Sequence, residues 1–537
     1  MRIKESVFQS RIGRQFFSGV FFLTLSNVLT KVCGLFLKVP LTHMLGDDGM
    51  GYFNLAYAVY KWFYMISTAG LPVAAAVMTA RYAAETTEQR GYLLRRMRNV
   101  TLGSFCAVGL AGSLCMWIGA PLFASLQKVD DASYAIAAIA PALFFICIAS
   151  ALRGWYQGLG TMLPASVSQV IEAVAKMGFG LLLGAYAIRR GKSLCVIAAY
   201  AISGLSIGSF LGMLVMLAAM LPVQRKHGVF KTERPRNTEP WTVLLGRLWR
   251  FALPVTFSAS VMSLCDMLDS MIVIRRLSGC GVPPEQALRL FGNYTSLAVP
   301  MFNLPPILIY PVTTALIPII TAASGRKKDE NRKRDEMIRT ALIVTSWIAL
   351  PCTAGMSVLA KPLLSLLYRE DLAATGAPLL QILAFAVYFL LMLAMTNAIL
   401  QATDHARYPV YSMILGAVVK LVSSWILTGR SEIGILGTPI STVLCYAAMA
   451  MCNLYFVLKK TDVKLPLFST VIYPAAASAF CAFSARACHR VLLGTMPDVL
   501  LTLLAVCIGA AVYAVWMLFF CIGSRSLLHD LKKAFVS

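Results

Sequence analysis

Long apolar runs separated by short polar segments occupy almost the whole chain of 537 residues. About fourteen of these runs reach the length of about 20 residues with which a helix crosses the hydrocarbon core of a bilayer. A helix is expected for each run, because in lipid a helix satisfies its own backbone hydrogen bonds. The pattern therefore predicts an all-α polytopic membrane protein with about fourteen transmembrane helices.

Composition and charge support a membrane protein rather than a nucleic-acid-binding one. The chain is 58% hydrophobic and 13% charged, which is too apolar for a soluble domain of this size. The net charge of +24 comes from lysines and arginines that cluster in segments predicted to lie inside the cell, with one outer exception at 189–192. We expect a multi-pass plasma-membrane protein with cytoplasmic N- and C-termini, membrane lipids as partners and no bound nucleic acid.

Two kinds of chemistry find little support in the sequence. The 14 cysteines and 5 histidines are scattered without metal-ligand spacing, and no GxxxxGK[ST] motif is present, so we expect neither a metal nor a cofactor. Uphill transport then needs a Na+ or H+ gradient or the membrane potential. Asp47 and Asp48 permit a second interpretation, a membrane glycosyltransferase, although a glycine-rich turn with two solvated charges is the favoured explanation.

The two halves of the chain resemble each other. Matching positions, found at nearly constant offset, are Lys31 with Asp266, Leu71 with Tyr310, Gln157 with Gln401 and Lys176 with Lys420. They predict two six-helix lobes related by an internal repeat, both in the same orientation, followed by two C-terminal helices. The predicted parts are an N-lobe at 1–222, a cytoplasmic linker at 223–244, a C-lobe at 245–460, helices thirteen and fourteen at 461–523 and a cytoplasmic amphipathic tail at 524–537.

Polar side chains recur at helical spacing on the first two predicted helices. The first helix carries Asn27, Lys31 and Lys38 on one face, and the second carries Tyr57, Lys61 and Tyr64. A lysine within a membrane span is costly unless it faces water or a charged partner. These six residues are therefore the candidates for a substrate-binding cavity.

The segment 153–176 combines a chain break with a charged helix face. Gly158, Gly160 and Pro164 predict a tight turn, and Glu172 and Lys176 follow it as an i, i+4 pair that favours mutual neutralisation over substrate contact. Pro311, in a proline-rich eighth helix, is a further hinge candidate.

Two aspartates on the predicted seventh helix, Asp266 and Asp269, have two interpretations. They can pair with the lysines of the first two helices, or they can bind a coupling cation. The two roles can also alternate within one transport cycle.

Three stretches of the sequence resemble one family. LGDDGMGYFNLAYAVYKWFYM, RGWYQGLGTMLPASVSQVIEAV and QATDHARYPV are similar to the stage V sporulation protein B-like group of polysaccharide and peptidoglycan lipid exporters, within the MATE-like superfamily. The resemblance implies two lobes around a central cavity and export of an undecaprenyl-diphosphate-linked oligosaccharide, with lipid II as the leading candidate. It also implies that Lys31, Lys38 and Lys61 line the cavity, and that helices thirteen and fourteen hold the lipid tail.

Elementary electrostatics leads to the same function. A diphosphate carries about two negative charges and needs a wet cavity with cations to cross hydrocarbon. We therefore expect a non-enzymatic flippase. The resemblance implies that it works by alternating access, and we expect it to act as a monomer. A multidrug or organic-cation:ion antiporter of the same fold is the alternative, and the membrane glycosyltransferase is a more distant one.

Overall fold

The structure, a computed structural model, describes residues 2–83, 90–226, 228–229, 240–307, 309, 313, 320, 328–403, 405, 407–461, 463–493 and 496–523. Most of these residues are helical, and no strand occurs within the ranges just given. Eleven helical segments of this described part are long and apolar enough to cross a membrane. The first, Val32–Ala83, joins two of the predicted membrane helices. The predicted all-α polytopic fold is confirmed.

The chain divides into two compact units, and the boundary falls inside a helix. The first unit comprises Met1–Met271 and Pro284–Gly292, and the second comprises Ile272–Pro283 and Asn293–Ser537. Up to this boundary region the helices are α1 (Arg2–Thr68), α2 (Gly70–Ala83), α3 (Arg90–Ile118), α4 (Ala120–Leu126), α5 (Ala132–Gly158), α6 (Leu163–Arg189), α7 (Leu194–Ala218), α8 (Met220–Lys226), α9 (Trp241–Gly279) and α10 (Pro284–Asn293).

The second unit is also helical, and its last two long helices follow a π-helical turn. A π-helical turn (Tyr294–Ala298) leads into α11 (Val299–Phe302), α12 (Lys328–Val358), α13 (Ala360–Ser365), α14 (Glu370–Leu383), α15 (Phe385–Ala402) and α16 (Tyr408–Thr428). A 3₁₀ turn (Gly434–Leu436) then precedes α17 (Gly437–Lys460), and a second π-helical turn (Phe468–Ile472) precedes α18 (Tyr473–Val491) and α19 (Asp498–Gly523).

A single glycine bends the first helix. The 67 residues of α1 would extend about 100 Å if straight, several times the thickness of the hydrocarbon core, so they make two crossings. Gly46 has φ 62° and ψ −170°, a conformation open to glycine and strained for other residues. The adjoining Asp48 is exposed and Asp47 is partly exposed, at this kink rather than in an extended loop.

The predicted break after α5 is a helix C-cap with a defined hydrogen-bond pattern. The Thr161 N–H donates to the Tyr156 carbonyl at 2.9 Å, and the Gly160 N–H donates to the Gln157 carbonyl at 3.0 Å. Gly160 has φ 71°, the left-handed conformation that completes a Schellman motif. Pro164 stands in the first turn of α6, where its missing N–H costs no hydrogen bond.

The same turn recurs in the second unit. The His405 N–H donates to the Leu400 carbonyl at 2.8 Å after α15, which matches the bond from Thr161 to Tyr156 after α5. These four residues fall at the offset that aligns Gln157 with Gln401. The two turns that the predicted repeat aligns thus share one backbone hydrogen bond, and the repeat itself stays a prediction. Pro311, the other hinge candidate, lies outside the described residues.

Neighbouring residues of the RGWYQG segment fasten α5 to three other helices. The Trp155 indole donates to the Leu94 carbonyl of α3 at 3.1 Å, and the Tyr156 hydroxyl donates to the Met216 carbonyl of α7 at 2.7 Å. Gly154 and Gly158 lie against the backbone of α2, where a Cβ atom would come within 2.5 Å of Pro72 and Thr79 respectively. The helix end is therefore held rigidly, and so are the side chains that it carries.

The two C-terminal helices pack within the second unit against α12. The Trp347 indole donates to the Ser469 carbonyl at 3.0 Å, and the Tyr513 hydroxyl donates to the Trp347 carbonyl at 2.7 Å. Many large apolar side chains of α18 and α19 remain exposed, including Phe483 at 76% and Phe519 at 66%. Such a surface is suited to contact with lipid.

Candidate functional site

The first unit encloses a cavity of 470 Å³ between α1, α5, α6 and α7. Both arms of α1, before and after Gly46, contribute to its wall. Among the described side chains, its charged lining consists of four cations and one carboxylate, namely Lys38, Lys61, Arg153, Lys176 and Glu172. Intramembrane charges are costly unless they face one another or water, so their convergence on one cavity marks a candidate functional site.

One group of charges, which we name the Lys61 cluster, consists of Lys38, Lys61 and Asp266. The Lys61 ammonium lies 2.6 Å from the Asp266 carboxylate, and these side chains are 41% and 36% exposed. Lys38 lines the same cavity as Lys61. Both members of the ion pair are partly exposed, and a solvated pair of this kind is weak.

A second group, the Glu172 cluster, consists of Arg153, Glu172 and Lys176. One Glu172 oxygen accepts from Arg153 Nη2 at 2.6 Å, and the other accepts from Lys176 Nζ at 2.5 Å. Glu172 is 8% exposed and Arg153 11%, whereas Lys176 is 25% exposed. Lys176 is therefore the member of this cluster that is open to the cavity.

Polar contacts hold the buried side of the Glu172 cluster. Arg153 also donates to the Ser168 hydroxyl at 3.0 Å, and Ser168 in turn donates to the Gly212 carbonyl of α7 at 2.9 Å. One turn before Glu172 on α6, the Gln169 amide oxygen accepts from Ser26 of α1 at 3.0 Å. These bonds join α1, α5, α6 and α7 around the carboxylate and fix its position.

Aromatic side chains of α1 form another part of the wall. Tyr57, Tyr60 and Tyr64 all line the cavity, and the ring centroids of successive members are 6.0 and 5.8 Å apart. Tyr57 is 39% exposed, so its ring is available to a ligand. Tyr57 and Tyr64 were both predicted from their spacing with Lys61.

Several predicted residues lie elsewhere or are not described. The side chains of Asn27 and Lys31 lie outside the described part of the structure, although both positions belong to α1. Asp269 is only 3% exposed and does not line the cavity. Lys420, the repeat counterpart of Lys176, is buried in the second unit, where it donates to the Thr442 hydroxyl at 3.2 Å.

Arg153 lines the cavity but was not predicted to do so, because it lies near the end of an apolar run. The position of the turn at Gly160 could have predicted that Arg153 faces α6. Arg153 stands about as far before Gly160 as Ser168 stands after it, and residues equally distant from the turn of a helical hairpin face each other. Arg153 therefore falls beside the polar face of α6.

Comparison with known proteins shows which family the chain resembles. The family model described as polysaccharide biosynthesis protein matches residues 16–324, and the MatE model matches 294–426. The lipid II flippase MurJ of Bacillus subtilis (strain 168) is 24% identical over 529 residues, covering 92% of this chain and 93% of MurJ. Stage V sporulation protein B of the same organism is 24% identical over 447 residues, covering 80% of each chain.

Solved structures share the fold. A structure of lipid II flippase MurJ in an inward closed conformation aligns with a TM-score of 0.68 at 15% identity, covering 95% of this chain and all of the other. An inward-facing multidrug resistance MATE family transporter of the MOP superfamily aligns with a TM-score of 0.63 at 18% identity, covering 82% of this chain and 96% of the other.

The chain is a multi-pass membrane protein with the fold of the MOP superfamily transporters. It belongs to the polysaccharide biosynthesis protein family, whose model matches more than half of its length. The resemblance drawn from its sequence motifs is confirmed.

Proposed function

We propose that this protein is a flippase that moves an undecaprenyl-diphosphate-linked oligosaccharide, lipid II foremost, from the inner to the outer leaflet by alternating access. The observation that carries the proposal is the charge of the cavity. Its described lining holds four cations against one carboxylate, and pairing of Lys61 with Asp266 still leaves a net charge of about +2. A diphosphate diester carries about two negative charges, so the cavity complements it.

The cations of the cavity are of a type that binds phosphate reversibly, which suits a transporter. Three of the four are lysines, whose ammonium groups hold phosphate as point charges, whereas arginine binds it through a rigid bidentate fork. The arginine, Arg153, already has its guanidinium engaged by Glu172 and Ser168. A carrier must release its substrate, and exchangeable lysine contacts permit release.

The exposed tyrosines and the C-terminal helices fit the other parts of such a substrate. Tyr57, beside Lys61, offers an aromatic face and a hydroxyl to a sugar. The apolar surface of α18 and α19 suits a polyprenyl chain. Both features support the proposal because a lipid-linked oligosaccharide has a polar and an apolar end.

The driving force in this proposal is the membrane potential or a Na+ or H+ gradient. An anion that leaves the negatively charged cytoplasm moves down the potential, which is worth about 2.3 kcal/mol per charge per 100 mV. We assign coupling to Asp266, because its pair with Lys61 is exposed enough to exchange. The functional unit we propose is a single chain.

Reconstitution of the purified protein tests this function. Vesicles carrying labelled lipid II, a second diphosphate-linked glycolipid or a fluorescent organic cation are assayed for substrate that becomes accessible on the far side. We expect movement of the diphosphate lipids at a rate that empty vesicles lack. Movement of the organic cation alone would favour the antiporter interpretation instead.

A further inference from the structure

The charges that line the cavity form two separate groups, and each carries one net positive charge among the described side chains. The Lys61 cluster combines two lysines with Asp266. The Glu172 cluster combines Arg153 and Lys176 with one carboxylate. The sequence predicted that Glu172 and Lys176 neutralise each other, with no net charge. Because Arg153 also pairs with Glu172, the cluster has a net charge of +1.

Within the Glu172 cluster the two cations are not equivalent. Arg153 is the more buried, and it is fixed by both Glu172 and Ser168. Lys176 is more exposed, and its only described hydrogen bond is to Glu172. If Lys176 turns toward a ligand, Glu172 keeps Arg153 as its partner and no buried carboxylate is left without a cation.

The backbone of α7 supports the stem of Lys176. A Cβ atom on Gly208 would lie 2.4 Å from Lys176 Cγ and 2.8 Å from the Lys176 backbone nitrogen. Only a glycine lets α7 approach this closely. The stem is thus held against α7 while the ammonium group borders the cavity.

We propose that Lys176 binds the second phosphate of a diphosphate substrate, and that Arg153 is the positioning residue that holds Glu172 and so releases Lys176 for this contact. The inference rests on the proposed function and deepens it. The Lys61 cluster takes one phosphate and the Glu172 cluster takes the other. A monophosphate lipid needs only one cluster, so Lys176 makes the protein selective for diphosphates.

The test measures dissociation constants of the purified full chain for two lipids. The probes are undecaprenyl diphosphate bearing one N-acetylglucosamine and undecaprenyl monophosphate bearing one hexose. We expect Lys176→Met to weaken diphosphate binding about tenfold, the value of one charged hydrogen bond, and monophosphate binding less than twofold. Lys176→Arg should retain selectivity. Lys192→Met, which removes an exposed loop cation, is the matched control and should change neither constant.

Two further variants test whether Arg153 positions Glu172 or only stabilises the fold. In Arg153→Gln the carboxylate has only Lys176 left, so the diphosphate selectivity should fall as it does in Lys176→Met. In the double variant Arg153→Gln/Glu172→Gln nothing competes for Lys176, so selectivity should return. Thermal unfolding in detergent checks that each variant is folded, and a merely structural Arg153 predicts no recovery in the double variant.

The outcomes distinguish the two proposals. If the unaltered protein binds neither lipid, the proposed function fails. If it binds diphosphate selectively and Lys176→Met keeps that selectivity, or loses both lipids equally, the role of Lys176 is overturned while the flippase proposal stands.

Discussion

The Lys61–Asp266 and Arg153–Glu172 ion pairs differ in how far they are exposed to water. Lys61 and Asp266 are both more than a third exposed, so water competes with their attraction and the pair is worth about 1 kcal/mol or less. Glu172 is nearly buried, and loss of a partner from a buried pair costs about 3–5 kcal/mol. The Lys61–Asp266 pair is therefore suited to exchange with a substrate, and the Arg153–Glu172 pair to a fixed architecture.

Replacement of Lys61 should abolish transport without preventing insertion. Lys61→Ala removes the cation of the Lys61 cluster that is most open to the cavity, so we expect transport to fall by at least about tenfold. Complementation of a flippase-depleted strain measures this, with membrane fractionation as the check on insertion.

The matched control is the double variant Asp47→Asn/Asp48→Asn at the α1 kink, whose side chains do not line the cavity. It should transport almost normally. Normal growth with Lys61→Ala would contradict the cavity assignment, and complete loss with the aspartate variant would revive the glycosyltransferase interpretation.

Among individual residues, the sequence predicted the site residues that lie on one helix better than the contacts that form between different helices. Lys61, Tyr57 and Tyr64 follow from helical periodicity, and so does the spacing of Glu172 and Lys176. Arg153 reaches Glu172 through a hairpin, and the sequence did not predict this contact. Asp266 reaches Lys61 from a distant helix, which is one of the two roles that the sequence left open for Asp266. Contacts of that kind depend on how helices pack, which a single sequence specifies only indirectly.

At the scale of an element, the hairpin of α5 and α6 concentrates most of the structural constraints in a few residues. Gly160 supplies the left-handed turn, Trp155 and Tyr156 fasten the helix end, and Glu172 presents the charge. A small displacement of this hairpin would move the Glu172 cluster relative to α1.

The conformation of Gly160 gives a graded stability prediction. A Cβ atom there meets no neighbour within 4 Å, so the effect of substitution is purely conformational. Gly160→Ala should lower the free energy of unfolding by about 1 kcal/mol, since φ is 71°. Gly160→Asn should cost less because asparagine tolerates this region. Thermal unfolding in detergent measures both, and equal stability of all three proteins would contradict the assigned turn.

The contact of α7 with α6 gives a second prediction. In Gly208→Ala the new Cβ atom would lie 2.8 Å from the Glu172 carbonyl oxygen, so α7 must move. We expect a loss of about 1–3 kcal/mol in unfolding free energy together with weaker diphosphate binding. Gly178→Ala on α6 has open space at its Cβ and is the control. A Gly208→Ala protein as stable as the control would refute the close packing.

Hydropathy predicted the membrane helices but not their irregularities. The bend of α1 depends on one glycine conformation, and the two π-helical turns are local changes in hydrogen bonding. The predicted eighth span, 290–322, coincides with such a turn and with residues only partly described. Average apolarity over a window carries no information on these features.

At the scale of the whole molecule, the unit boundary after Met271 lies five residues beyond Asp266 on the same helix. The residue that pairs with Lys61 thus lies on the helix that continues into the second unit. In the flippase proposal, release of Asp266 by a substrate would free this segment of α9 from α1 and so link binding to movement.

The orientation of the chain can be tested independently of transport. We predict that 189–192 is outside and the linker 223–244 inside. Fusions of alkaline phosphatase after Lys192 should therefore be active, and fusions within the linker inactive, because the enzyme folds only outside the cytoplasm. Green fluorescent protein at the same sites is the reciprocal control, and the opposite pattern would invert the topology.

The recurrence of the turn after α5 and α15 has an evolutionary consequence. A duplicated gene begins with two equal halves, so every difference between them arose afterwards. The hydrogen bond that reverses the chain persists in both, and so does the lysine at 176 and 420, yet Gly416 stands where the first half has Glu172. The turn and its lysine are thus common to both halves, whereas the carboxylate is present in the first half and absent at the matching position of the second.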